Sequence, residues 1–158
     1  MQLGAKKTPR PHQLAAISDV LKGLKSADRG KLIMACGTGK TFTALKIAET
    51  FAATKDEPGH ERHVLFLVPS IALLAQSLRE WSIDSGVPLH SLAVCSDTAV
   101  GKAADTEDIR LHDLPFPATT DARRLAAQLA SLKGKKALTV VFSTYQSIAT
   151  INEAQKLH

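Results

Sequence analysis

The stretch Lys31-Leu32-Ile33-Met34-Ala35-Cys36-Gly37-Thr38-Gly39-Lys40-Thr41 restricts this chain more than any other. A short apolar run ends in a glycine turn, and a lysine and a threonine then open an amphipathic segment, Phe42 to Phe51. Strand, glycine loop and helix in that order are what a phosphate-binding loop requires, because its backbone N–H groups must point inward around a triphosphate. Gly37 and Gly39 permit the dihedrals and the close backbone approach that this demands. Lys40 can place a point charge between the β- and γ-phosphates, and the Thr41 hydroxyl can ligate Mg2+. The helix start adds the positive end of its dipole. The residue types therefore predict a site for a nucleoside triphosphate such as ATP, with Mg2+. Met34 stands where the general pattern G-x-x-x-x-G-K-[ST] has glycine, so on these residues alone a plain turn between strand and helix is the alternative.

With 158 residues the chain is expected to form one domain with a real core. Its 44% hydrophobic and 22% charged residues are those of a soluble globular protein. Aromatic residues make up only 4%, which leaves the core to Leu, Ile, Val and Ala. No apolar run approaches the roughly 20 residues needed to span a bilayer, and Met1 to Thr8 lacks the apolar block of a signal peptide. No membrane partner is expected. Two cysteines, one of them Cys36 inside the loop, make no disulfide framework, so a reducing, cytoplasmic location is expected. The net charge of +5 is unevenly spread: residues 1–31 carry seven cations against Asp19 and Asp28, whereas residues 97–121 carry six carboxylates against Lys102 and Arg110. A basic balance suits a polyanionic partner, and it equally suits ordinary solubility.

Leu14, Ile17, Leu21 and Leu24 recur at helical steps after Pro11, a residue tolerated at a helix start. Ser26 to Gly30 is a polar turn, Lys31 to Cys36 the first strand, and Thr41 to Thr54 a helix. His63 to Val68 is a continuous apolar run, the mark of a strand buried on both faces. Pro69-Ser70 ends it, and Ile71, Leu74, Leu78 and Trp81 mark one face of the next helix. Ser91 to Cys95 reads as a third strand. The 22 residues from Ser96 to Pro117 show no periodicity and read as a functional or mobile insertion. Thr119-Thr120-Asp121 can cap a helix with the face Leu125, Leu129, Leu132, closed by Gly134. Ala137 to Phe142 is a fourth strand, and Ser143 to Ser147 leads into a last helix from Ile148 to about Gln155. Apolar strands alternating with helices predict an α/β fold, a parallel sheet with helices on both faces. Ligands collect at the C-terminal strand ends of such sheets, where Gly37, Pro69, Cys95 and Ser143 are expected to share one edge.

Taken together, these strand-end signals resemble one family. The chain, over residues 9–150, resembles the N-terminal RecA-like motor domain of a superfamily 2 helicase or DNA translocase, most of all the bacterial restriction-type (type I, III and ISP) and helicase-associated-domain proteins. Met34 to Thr41 matches that family's motif I, where a non-glycine first position is common. Arg10-Pro11-His12-Gln13 is similar to its adenine-recognition element, with His12 in place of the usual tyrosine. The Gln13 amide can accept from N6 and donate to N7 of adenine; on its own chemistry it would be a surface helix residue. Val68 to Gln76 resembles motif Ia, in which Pro69, Ser70 and Gln76 would sit against a nucleic-acid backbone; the bland reading is a stopped strand and a capped helix. Ser143-Thr144-Tyr145-Gln146-Ser147 resembles a later strand-touching motif, in which Thr144 and Ser147 would bond phosphates, Tyr145 would pack on a sugar or base, and Ser143 would belong to the same nucleic-acid-binding set. The bland reading there is an N-cap with a core-facing tyrosine. Phe116 to Asp121 resembles a signature of the restriction-type subset with no chemical role beyond capping.

The resemblance implies that Arg10, Gln13 and the loop Cys36, Gly37, Thr38, Gly39, Lys40, Thr41 and Phe42 hold ATP. Lys40 and Thr41 would be the catalytic pair and Thr41 the Mg2+ ligand. The implied partners are nucleic acid, DNA rather than RNA, and a second motor domain of a parent chain. Asp56-Glu57-Pro58-Gly59-His60 fits the string of the magnesium-binding motif II, but it follows a helix end rather than an apolar strand, so the match is refused. His60 and His63 likewise lack zinc-site companions. Residues 1–158 are thus expected to be the front part of the ATP-binding domain, without motif II or the second motor domain, able to bind ATP and poor at hydrolysing it. In the family the motif II strand lies beside the phosphate-loop strand, so exposed strand edges are expected. Two other classes compete: a non-catalytic nucleotide-dependent binding module, and a small phosphotransferase with Arg123-Arg124 as its lid.

Overall fold

The continuous apolar runs become parallel strands, because helices on both sides supply a dry surface for each face. A computed structural model describes residues 6–53, 63–95, 118–135 and 137–157. Its sheet has the order β1 (His63–Val68), β4 (Leu138–Thr144), β2 (Leu89–Val94), β3 (Ala118–Thr119), with every neighbouring pair parallel. All seven residues of β4 are buried, as a central strand requires. Alternate β4 side chains enter opposite cores. Val140 and Phe142 pack with α2 (Lys40–Ala53) and α3 (Ile71–Asp84), and Val141 packs with α4 (Ala122–Ser131) and α5 (Ile148–Leu157). The expected α/β fold, a parallel sheet with helices on both faces, is what forms. A further helix, α1 (Pro11–Gly23), lies against α2.

Three aromatic rings centre the first core. The Trp81 ring centroid lies 4.9 Å from that of Phe66 and 5.4 Å from that of Phe142, in tilted and edge-on arrangements. Such pairs add about 0.5–1.5 kcal/mol beyond their burial. The helix ends are closed locally. Ser70 Oγ accepts from Leu73 N–H at 3.3 Å, and Asp121 Oδ1 accepts from Arg123 N–H at 2.8 Å and Arg124 N–H at 3.4 Å. Beyond α4, Gly134 has φ +74°, a left-handed conformation that glycine adopts without strain.

The polar seam between α2 and α3 is tied by side chains. Lys46 Nζ bonds Glu49 at 2.9 Å and the Asp84 carbonyl at 3.1 Å, while Glu49 Oε1 accepts from Ser85 Oγ at 3.1 Å and Gly86 N–H at 2.6 Å. The buried Asp84 carboxylate takes Lys7 Nζ at 2.8 Å. That hydrogen bond, and then the carboxylate's charge, raises the pKa of Lys7 above the ordinary lysine value.

Several expectations are corrected. Lys31 to Cys36 forms no strand. Leu32 is 42% and Ile33 89% exposed, since a strand exists only by pairing and this segment pairs with none of the described strands. For the same reason β1 is not buried on both faces. Among the described strands it pairs with β4 alone and lies at the sheet edge, and Leu65 is 40% exposed. Gly37 therefore does not follow a strand, unlike Pro69 and Cys95; Ser143 lies inside β4, one residue before its end. On α1, Gln13 and Ile17 face inward and Leu14 faces out, which rotates the buried side away from the leucines. Ala118–Thr119 adds a short strand where only a helix cap was expected. Asp56 to His60 and Ser96 to Pro117 lie outside the described residues.

Ile33→Ser should change the unfolding free energy from chemical denaturation by less than about 0.5 kcal/mol, as exposed sites do. Leu78→Ala, at a fully buried position, should cost about 2–5 kcal/mol in the same titration.

Candidate nucleotide and nucleic-acid site

Gly37 and Gly39 adopt φ of +75° and +80°, the left-handed backbone that turns the chain around a concave loop. Helix α2 starts at Lys40, and its first capping bond runs from Thr43 N–H to the Gly39 carbonyl at 2.9 Å. The N–H groups of Lys40, Thr41 and Phe42 precede that bond and form the open, positive end of the helix. Thr43 Oγ1 also donates to Gly39 O, at 3.0 Å, and Thr38 Oγ1 donates to Ala35 O at 2.7 Å. The exposed Lys40 ammonium bends back onto the loop, 3.2 Å from Ala35 O and 3.5 Å from Met34 O. A phosphate oxygen would displace those neutral carbonyls, because it adds the attraction of a full opposite charge to the same hydrogen bond.

Gln13 is not the surface residue that its chemistry alone predicts. It is 5% exposed, and both ends of its amide are engaged. Its Oε1 accepts from Arg10 N–H at 2.9 Å, closing the start of α1, and its Nε2 donates to Thr38 O at 2.9 Å. His12 Nε2 lies 3.2 Å from the same carbonyl. The Arg10–Gln13 segment thus clasps the loop, and reading a base would require Gln13 to exchange these partners. The clasp also crowds Gly39, since a Cβ there would stand 2.5 Å from Gln13 Nε2 and the amide would have to shift from its partners.

Trp81 was legible only as a core residue, but its Nε1 donates to Thr41 O at 3.0 Å and so holds the first turn of α2. Nothing in the sequence marks that bond. Phe42 turns its ring into the core, with Lys46 Nζ 5.2 Å from the ring centroid, so only its backbone can face a nucleotide. Cys36 is exposed in the turn and Thr41 is half-buried beside it. Among the described residues no group of three or more His, Cys, Asp or Glu side chains could hold a metal ion. Thr41 supplies the hydroxyl that suits Mg2+ beside phosphate oxygens.

The strand-end candidates divide by exposure. Pro69, Ser70 and Gln76 are on the surface, with Ser70 capping α3 and Gln76 Nε2 donating to Glu80 at 2.8 Å. Ser143, Thr144 and Ser147 are buried: Thr144 Oγ1 and Ser147 Oγ are 3.3 Å apart, and Ser143 Oγ donates to Thr144 O at 3.1 Å. These hydroxyls fasten the turn from β4 into α5 and do not reach solvent. Tyr145 is 57% exposed, so it is not the core-facing tyrosine of the bland alternative.

The family model described as Type III restriction enzyme, res subunit, matches residues 6–158. The chain belongs to this restriction-enzyme res-subunit family. No curated protein matches the chain. Two solved structures are similar at 44% identity. One is a nuclease-deletion mutant of the Type ISP restriction-modification enzyme LlaGI in complex with a DNA substrate mimic, with a TM-score of 0.77 over 96% of this chain and 14% of that one. The other is the ATP-dependent Type ISP restriction-modification enzyme LlaBIII bound to DNA, with a TM-score of 0.82 over 97% and 10%. The chain therefore spans about a tenth to a seventh of the length of these restriction enzymes.

Gly39→Ala should destabilise the fold by about 1–3 kcal/mol through left-handed strain and the clash with Gln13. Combined with Gln13→Ala, the clash disappears and the strain stays. A double-mutant cycle by thermal denaturation should return a coupling above about 0.5 kcal/mol.

Proposed function

We propose that this chain is the ATP-binding front part of the RecA-like motor domain of a DNA translocase of the restriction class. The observation that carries the reading is the loop itself. Two left-handed glycines, the open N–H groups of α2 and a lysine with only neutral partners in reach lie together at Gly37 to Thr41. Lys40 would hold the β- and γ-phosphates, the N–H groups from Cys36 to Phe42 would surround them, and Thr41 would ligate Mg2+. Arg10 and Gln13 would lie at the adenine end. Bound Mg2+ supplies charge neutralisation at the phosphates, and the chain's own part is to bind and orient them.

Pro69, Ser70, Gln76 and Tyr145 would line the nucleic-acid track, while Ser143, Thr144 and Ser147 shape its corner from beneath. DNA is the favoured polymer, since LlaGI and LlaBIII are both solved with DNA or its mimic. LlaBIII is ATP-dependent, and this chain is proposed to use the same nucleotide. In a parent enzyme a second motor domain would close over ATP, in the cytoplasm. The described residues contain no helix long and apolar enough to cross a membrane.

Titration with ATP and Mg2+ in a calorimeter should show binding with little turnover. Lys40→Ala should weaken it at least about tenfold, a loss of roughly 1.4 kcal/mol. An unchanged affinity would remove the assignment of the loop.

A further inference from the structure

Helix α4 breaks an electrostatic rule. Arg123 and Arg124 occupy its first turn, and both are exposed. Cations there oppose the helix dipole, which favours anions at this end. The only carboxylate at the cap, Asp121, spends Oδ1 on the backbone N–H groups of both residues. Among the described residues neither guanidinium forms an ion pair, as the two salt bridges found are Lys7–Asp84 and Lys46–Glu49. The buried face of α4 is Ala122, Leu125, Ala126 and Leu129, so packing does not use the arginines either. A cation pair that opposes the helix dipole and has no ion-pair partner among the described residues is available to an anion outside them.

The register says where that partner lies. Leu67, Ser143, Val94 and Thr119 are paired in one row across the sheet. Each strand leaves the sheet at the same C-terminal edge within two residues of that row, so Pro69, Tyr145 and Asp121 all follow this edge, with Arg123 and Arg124 just behind Asp121. Strands are spaced about 4.8 Å apart, so the β3 end stands about 10 Å from the β4 end and about 14 Å from the β1 end. A stacked strand rises about 3.4 Å along its axis per phosphate, so a strand whose axis follows this edge would span about four nucleotides.

We propose that Arg123 and Arg124 are phosphate-binding residues that extend the nucleic-acid track from Ser70 and Tyr145 to the far, β3 side of the sheet. This rests on the nucleic-acid reading above. The α4 N–H groups are closed by Asp121, so the contacts come from the guanidinium groups, which hold phosphate oxygens bidentately.

The test is fluorescence titration of the 158-residue chain with a labelled single-stranded DNA oligonucleotide at several salt concentrations. In Arg123→Gln/Arg124→Gln the affinity at low salt should fall on the order of tenfold. The salt slope should lose about 1.4, or about 0.7 per phosphate contact on a single strand. Arg123→Lys/Arg124→Lys should keep most of the slope. The glutamine variant should melt no lower than the parent and should bind ATP and Mg2+ unchanged. An unaltered slope and affinity overturns this inference alone, provided the parent binds the oligonucleotide. A parent that binds no nucleic acid overturns both this and the reading beneath it. Weakened ATP binding with unchanged DNA binding makes the arginines a nucleotide lid and also overturns it.

Discussion

The bond from the Trp81 indole N–H to the Thr41 carbonyl carries more of this architecture than its size suggests. The phosphate loop has no strand of its own in the sheet, so its position depends on how α2 is held. The indole is fully buried and its N–H must find an acceptor there, since an unpaired buried donor costs about 1–3 kcal/mol. The acceptor it finds is the residue next to Lys40. Its ring packs on Phe66 and Phe142, each two residues before the row from which β1 and β4 reach their outer ends. One side chain thus touches the loop's helix and two neighbouring strands of the sheet. The bonds from Lys46 and Glu49 to the end of α3 secure the same interface further along.

From the other side α1 clasps the loop. Gln13 and His12 converge on the Thr38 carbonyl, and Gln13 also closes the start of its own helix. The loop is therefore gripped by side chains on both flanks while its own lysine rests on weak, neutral partners. That combination suits a preorganised anion site: the backbone is held, and the one group that must move is tethered lightly.

The apolar segment before the loop is exposed because it has no strand to pair with among the described residues. Lys31 to Ala35 has the sequence of an interior strand and the exposure of a loop. A parallel strand needs a neighbour to satisfy its N–H and C=O groups, and the described sheet ends at β1. The open edge of β1, running through Leu65 and Phe66, is the kind of edge that proteins normally cover. The matched restriction enzymes are many times longer than this chain.

The alternation of apolar runs with helical patterns determined the α/β class, and the boundaries of β1, α3 and α5 were legible to within two or three residues. So was the glycine loop, because left-handed backbone and a following helix are local demands. Pairing was not local. Whether Lys31 to Cys36 is a strand, and whether β1 is central or an edge, depended on neighbours distant in sequence. Exposure also escaped the sequence: Ser143, Thr144, Tyr145 and Ser147 read as one motif, yet three hydroxyls turned inward and one ring outward. The sequence by itself determined which segments could be helix, strand and phosphate loop, since dihedral and periodic preferences reside in neighbouring residues. Only the tertiary structure decided that Gln13 and Trp81 grip the loop and that Ser143, Thr144 and Ser147 turn inward, because those relations are set by packing across the chain.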